Sequence, residues 1–177
     1  MGQEFGFPPT TRPEDHTKVH EYLRYLDTEF KLVLVVERFD ESLILMKRLL
    51  HWDILDILYL KANSHSHNSV SLNSTEIDMT RKTCFLDWAL YDYFTAVFEN
   101  KVAEQGQDFK EEVEHFKQLV SNVSSFCGEE NRDSLMIRKS KWHTDFHFKA
   151  EECQLMKMPE VKFLIHLKER FVRMHNV

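Results

Sequence analysis

The chain has 177 residues, 42% of them hydrophobic and 29% charged, which suits one globular domain and is short for two. Its 14 Phe exclude a wholly disordered chain, and 4 Gly with 4 Pro exclude collagen-like or loop-dominated architectures. With 23 Lys+Arg against 29 Asp+Glu, net −6, it is no whole-surface nucleic-acid binder, which needs a basic excess to neutralise phosphates.

Residues 1–15 hold three of the four prolines, Pro8, Pro9 and Pro13, and read as an extended lead-in. From Thr17 to Phe30, Val19, Tyr22, Leu23, Leu26 and Phe30 fall three or four apart, the spacing of one helix face. Leu32 to Val36 is short, continuous and Val-rich, which predicts a strand buried on both faces, as in parallel sheets. The chain then enters Glu37-Arg38-Phe39-Asp40-Glu41-Ser42, where Asp40 is placed to cap a helix carrying Leu43, Met46, Leu49 and Leu50. Trp52 to Leu60 reads as a short helix followed by a strand end, and Asn63 to Thr75, rich in Ser, His and Asn, as a loop.

Two helices follow, over Asp87–Val102 with Trp88, Tyr91, Phe94 and Phe98 on a stripe, and over Phe109–Val123 with Val113, Phe116 and Val120. The region from Glu151 to His175 places Met156, Phe163, Leu164, Leu167 and Phe171 at helical spacing. Positive charge gathers late: residues 138–177 carry 9 Lys+Arg and 5 Asp+Glu, compatible with an anion-facing surface or with solvated helix faces. No apolar run approaches the roughly 18 residues of a membrane span, and no signal peptide is visible.

The chemistry-bearing motifs are few. No glycine-rich phosphate loop and no G-x-S-x-G elbow can be written. His143 and His147, like His16 and His20, stand four apart with the reach to chelate zinc, but no third ligand follows, and His65 and His67 add none; no metal is expected. Cys84, Cys127 and Cys153 form no C-x-x-C pair. Asn73 and Asn122 head the two N-x-S/T sequons, glycosylation candidates in a secretory setting. Glu37, Asp40 and Glu41 cluster where the predicted strand meets a helix. Carboxylates there can hold a sugar hydroxyl or take its proton, while helix capping and dipole complementation explain Asp40 and Glu41 equally.

The run Phe30–Leu43 with its F-D-E-S-L block, then Leu49-Leu50-His51-Trp52-Asp53 and Asp56 to Asn63, resembles the galactose-3-O-sulfotransferases, the family of galactosylceramide sulfotransferase. His51 stands where that family usually has Cys. The segments Leu86–Phe94, Phe98–Val113 and Glu152–Glu160 resemble later parts of the same family, so the likeness runs from about Phe5 to Arg170.

The resemblance implies an α/β fold, a partial P-loop-like sulfotransferase domain over 1–177, helix-rich with few parallel strands retained. It implies transfer of a sulfuryl group from 3′-phosphoadenylyl sulfate to O3 of a galactose-terminated glycolipid or glycan, without a metal or nucleic acid. In that family the donor-binding segments and the N-terminal membrane anchor precede the block seen here. The chain is therefore expected to match the C-terminal portion of a lumenal Golgi membrane enzyme and to be inactive alone, with a non-catalytic galactoside- or protein-binding module as the alternative. The catalytic residue is not assigned. Glu37, Asp40, Trp52 and Trp88 are the acceptor-side candidates, Trp88 also being explained by core packing. In a secretory setting Cys127 and Cys153 are the expected disulfide pair, leaving Cys84 free.

Overall fold

The computed structural model describes residues 4–61, 71–129 and 133–175. Its described residues fall into two compact units, 4–46 with 71–109 and 47–61 with 110–129 and 133–175. Asn63, His65 and His67 lie outside the described residues.

The first unit is built on α1 (His16–Glu29) and α4 (Phe85–Ala103). Val19, Leu23 and Leu26 of α1 recur at the period of one helix face and pack with Phe7, Leu90 and Phe94 as a buried cluster. Burying each such Leu or Phe is worth about 1.5–3 kcal/mol. The first part of α2 (Phe39–Leu50) adds buried Leu43, Ile44 and Leu45, and α3 (Ser74–Thr83) lies exposed beside α4. Asn73 starts α3 as its N-cap, its Oδ1 accepting from the Glu76 N–H at 3.0 Å while Glu76 Oε2 accepts from the Asn73 N–H at 2.8 Å. This reciprocal box ends the expected Asn63–Thr75 loop two residues early.

The predicted buried strand Leu32–Val36 is corrected. The segment is extended but pairs with no strand among the described residues, and Leu34 and Val36 are exposed. The reason lies ten residues downstream of Leu32: Ser42, fully buried, accepts from the Val35 N–H and donates to the Val35 carbonyl, both at 3.0 Å. A side chain thus takes the two groups that a ladder would use, and the chain turns into a 3₁₀ helix at Val36–Arg38. A Val-rich run scores as strand because it fits a pleated, half-buried surface, and that surface needs neighbours. Asp40 also shifts role: α2 starts at Phe39, so Asp40 stands in its first turn instead of capping it.

In the second unit α2 ends on His51, whose φ of 56° is left-handed, and the Trp52 N–H bonds back to the Lys47 carbonyl at 3.0 Å. A 3₁₀ turn at Ile54–Ile57 follows, in place of the expected short helix and strand end. The unit's longest helix is α5 (Gln107–Gly128), whose Val113, Phe116, Val120, Val123 and Phe126 are buried. A hairpin unforeseen from the sequence, β1 (Ser134–Ile137) with β2 (Phe146–Lys149), pairs Ser134 with Lys149 and Ile137 with Phe146. It is antiparallel and forms the one sheet among the described residues, correcting the expectation of retained parallel strands. The helical stretch 151–175 is two helices, α6 (Ala150–Met156) and α7 (Glu160–His175), parted at Pro159 because proline lacks the N–H that would continue the helix. No helix among the described residues is long and apolar enough to cross a membrane.

Two cross-links organise this unit. Glu112, 1% exposed, accepts from Lys47 Nζ at 2.9 Å and from Arg48 Nε at 2.7 Å. Cys127 and Cys153 are disulfide-bonded, joining α5 to α6 across 26 residues, and Cys84 is free and exposed. Lys157 Nζ also donates to the Cys127 carbonyl.

Candidate functional site

The unpaired Leu32–Val36 segment leaves space beside α4. A cavity of about 320 Å³ lies in the first unit, walled on one side by Val33 to Glu37 and on the other by Leu90, Tyr91, Phe94 and Thr95 of α4. Phe5 and Phe30, packed edge to face at 6.1 Å between ring centroids, complete the apolar wall. Helical spacing explains the α4 side, since Asp87, Leu90, Tyr91, Phe94 and Thr95 are all within two turns on one face.

Three polar side chains enter this apolar surround: Glu37, Asp87 and Thr95. Arg38, adjacent to Glu37, is committed elsewhere. Its Nε and Nη2 donate to Glu41 at 2.5 and 2.6 Å, and its guanidinium lies 5.2 Å from the centre of the Phe98 ring. That bidentate pair raises the Arg38 pKa, the hydrogen bond to Glu41 being the largest cause. With its neighbouring cation held by Glu41, the exposed Glu37 carboxylate makes no hydrogen bond or ion pair among the described residues. Thr95 Oγ1 is buried without a hydrogen-bond partner among the described residues. An orphaned hydroxyl is costly to bury, and on a cavity wall it offers a ligand both a donor and an acceptor. The site therefore suits a ligand with an apolar face and a few hydroxyls.

The sequence candidates divide. Glu37 lines the cavity; Asp40, one helical turn on, does not. Trp88 turns its ring to Arg81, whose guanidinium sits 4.6 Å from the ring centre. Trp52 is 44% exposed and belongs to the second unit. Thr95 and Asp87 are the site residues that sequence reasoning missed. The available signal was a Thr within an otherwise aromatic stripe, between Phe94 and Phe98, where an apolar residue is the norm.

The remaining motifs are placed as follows. His143 Nε2 meets His115 Nε2 at 2.9 Å, the centroids 5.1 Å apart, so the nitrogens point head-on as in a hydrogen bond. His147 is exposed on β2, and no group of three or more His, Cys, Asp or Glu able to hold a metal occurs among the described residues. Asn73 and Asn122 are both exposed, Asn122 Oδ1 accepting from Gln118 Nε2 at 3.1 Å.

A family model for galactose-3-O-sulfotransferase matches residues 1–144. The chain is 27% identical over 192 residues to galactose-3-O-sulfotransferase 2 of Mus musculus, covering 94% of this chain and 48% of that protein. It is 29% identical over 189 residues to the Homo sapiens protein of the same name, covering 94% and 47%. To galactosylceramide sulfotransferase of Mus musculus it is 36% identical over 127 residues, 70% of this chain and 30% of that protein. No solved structure matches. The chain thus spans about half the length of the curated galactose-3-O-sulfotransferase 2 proteins, and it belongs to the galactose-3-O-sulfotransferase family.

Proposed function

We propose that the protein takes part in sulfuryl transfer from 3′-phosphoadenylyl sulfate to O3 of a galactose-terminated glycolipid or glycan, with this chain supplying acceptor-side contacts. The observation that carries the reading is Glu37, which stands in the family-like turn and also lines an apolar cavity beside an unpartnered buried hydroxyl. In this reading the apolar wall takes a face of the sugar or its aglycone, and Glu37 and Thr95 bond its hydroxyls. A carboxylate so placed holds the reacting hydroxyl and strengthens its oxygen as a nucleophile. Stabilising the charge that develops on the sulfuryl group and leaving phosphate needs cations and backbone N–H donors, and no glycine-rich phosphate loop can be written in these 177 residues. The donor is therefore proposed to bind outside the segment described here. A lumenal Golgi setting follows from the same reading and is compatible with the Cys127–Cys153 disulfide.

The test is a titration of the chain with octyl β-galactoside, followed by E37Q and T95V. Binding that weakens about fivefold or more in E37Q is expected from the loss of a charged hydrogen-bond acceptor. Unchanged affinity in both variants would remove the cavity from the acceptor site. Incubation with donor and acceptor should give no turnover, and turnover would overturn the assignment of the donor site elsewhere. Galactoside binding by the protein without affinity for 3′-phosphoadenosine 5′-phosphate in any longer form would instead favour the non-catalytic binding module.

A further inference from the structure

A second groove, of about 550 Å³, runs between α1, α3 and α4 in the first unit. Its floor is the outer surface of the core cluster, with Val19, Leu23 and Phe85. Its walls follow from helical spacing. His16 and His20 stand one turn apart on α1, Arg81 and Lys82 lie on the facing side of α3, and Asp78 precedes Arg81 by three. Here the His16–His20 spacing places both imidazoles on one wall of the groove.

The charges are arranged unlike those of the chain as a whole. The protein carries a net −6, yet this groove has two permanent cations and one carboxylate. Lys82 and His16 make no ion pair or hydrogen bond among the described residues. Arg81 stacks on Trp88 instead of pairing with an acid, which fixes the guanidinium plane and leaves its N–H fork available. A planar fork, an ammonium and two imidazoles are donors suited to a tetrahedral oxyanion. The apolar floor adds a place for an uncharged body.

We propose that this groove binds a sulfate or phosphate monoester carried on an apolar or aromatic body, with Arg81 and Lys82 on the oxyanion and Val19, Leu23 and Phe85 beneath the body. The site shares no residue with the Glu37 cavity, so the failure of either leaves the other standing.

The whole chain should be titrated with 4-nitrophenyl sulfate, 4-nitrophenyl phosphate, inorganic sulfate and neutral 4-nitrophenyl β-galactoside, following the amide signals of α1 and α3. Either ester should bind several-fold more tightly than inorganic sulfate, and the tighter of the two identifies the ester class. The double variant R81Q/K82Q should lose about tenfold in affinity, as expected for removing two charge-assisted contacts. Both side chains are exposed, and an unchanged melting temperature would confirm that the fold is kept. R81Q/K82Q binding as tightly as the parent would overturn the assignment. So would the neutral galactoside shifting the same signals with equal affinity, or inorganic sulfate matching both esters.

Discussion

In the first unit α1 and α4 meet mainly through packing of Phe7, Val19, Leu23, Leu26, Leu90 and Phe94, with one long hydrogen bond from the Tyr93 hydroxyl to Asp27 at 3.4 Å. The second unit packs Phe116, Val123 and Phe148 as tightly, and adds a disulfide and a buried carboxylate held by two cations. The difference teaches where each unit is vulnerable. Apolar packing loses stability smoothly as contacts are trimmed, whereas a buried charge or a cross-link fails when one partner is removed. Both candidate ligand sites lie in the unit without covalent ties, beside an extended segment that no ladder holds.

The sharpest way to break this contrast is E112A. It strands Lys47 and Arg48 against a void, and removing one partner of a buried pair costs about 3–5 kcal/mol. Chemical denaturation read from Trp142 fluorescence, in a chain with Trp52 and Trp88 replaced by Phe, should show an early transition. If Trp142 reports parental stability, the ion triad does not hold this unit. Reduction, or C127S/C153S, is next: opening a loop of 26 residues should cost about 3–4 kcal/mol. The loss should appear at Trp142 in that chain and not at Trp88 in a chain that keeps Trp88 as its one tryptophan, and equal loss at both would erase the distinction.

Ser42→Ala probes the first unit. It leaves the Val35 N–H and carbonyl without their partner at a fully buried position, for about 1–3 kcal/mol. Hydrogen exchange at Val35 should rise by one to two orders of magnitude. A pH effect belongs to the second unit. Burial, followed by the charge of His143, lowers the His115 pKa, with Glu112 opposing. The unfolded chain then binds the proton more readily, so stability is intact above the ordinary imidazole value of 6.5 and falls as pH drops below it. H115Q should flatten that dependence, and an unchanged slope would exclude His115 as its source. T95V has the smallest expected effect on stability, neutral or slightly favourable, because it removes an unpaired buried hydroxyl.

Much of this organisation was legible in the residues. The face of α1, the aromatic stripe of α4 and the apolar positions of α5 each announce themselves by spacing, because one buried stripe on a long helix imposes its period on the sequence. That Glu37 lines the candidate cavity agrees with its place in the turn where a strand end was expected. The fate of Leu32–Val36 was not legible, because local composition cannot report whether a neighbouring strand exists, and here a serine ten residues beyond Leu32 takes that place. The β1–β2 hairpin was hidden for a related reason: four-residue strands such as Ser134–Ile137 are too short for an alternation to stand out. Thr95 was hidden in a pattern that otherwise predicts only packing.

The Ser42–Val35 clasp has one further effect. A run of five aliphatic residues without Pro or charge is the composition from which sticky, self-templating strands are made. Template growth along a backbone needs its N–H and C=O groups in register and vacant. By occupying both groups of Val35, a single hydroxyl puts a stop in the middle of that template, on the side where the backbone groups of Val33 and Val35 project. The serine that clasps the chain beside the cavity therefore also obstructs strand addition along that side of an aliphatic stretch.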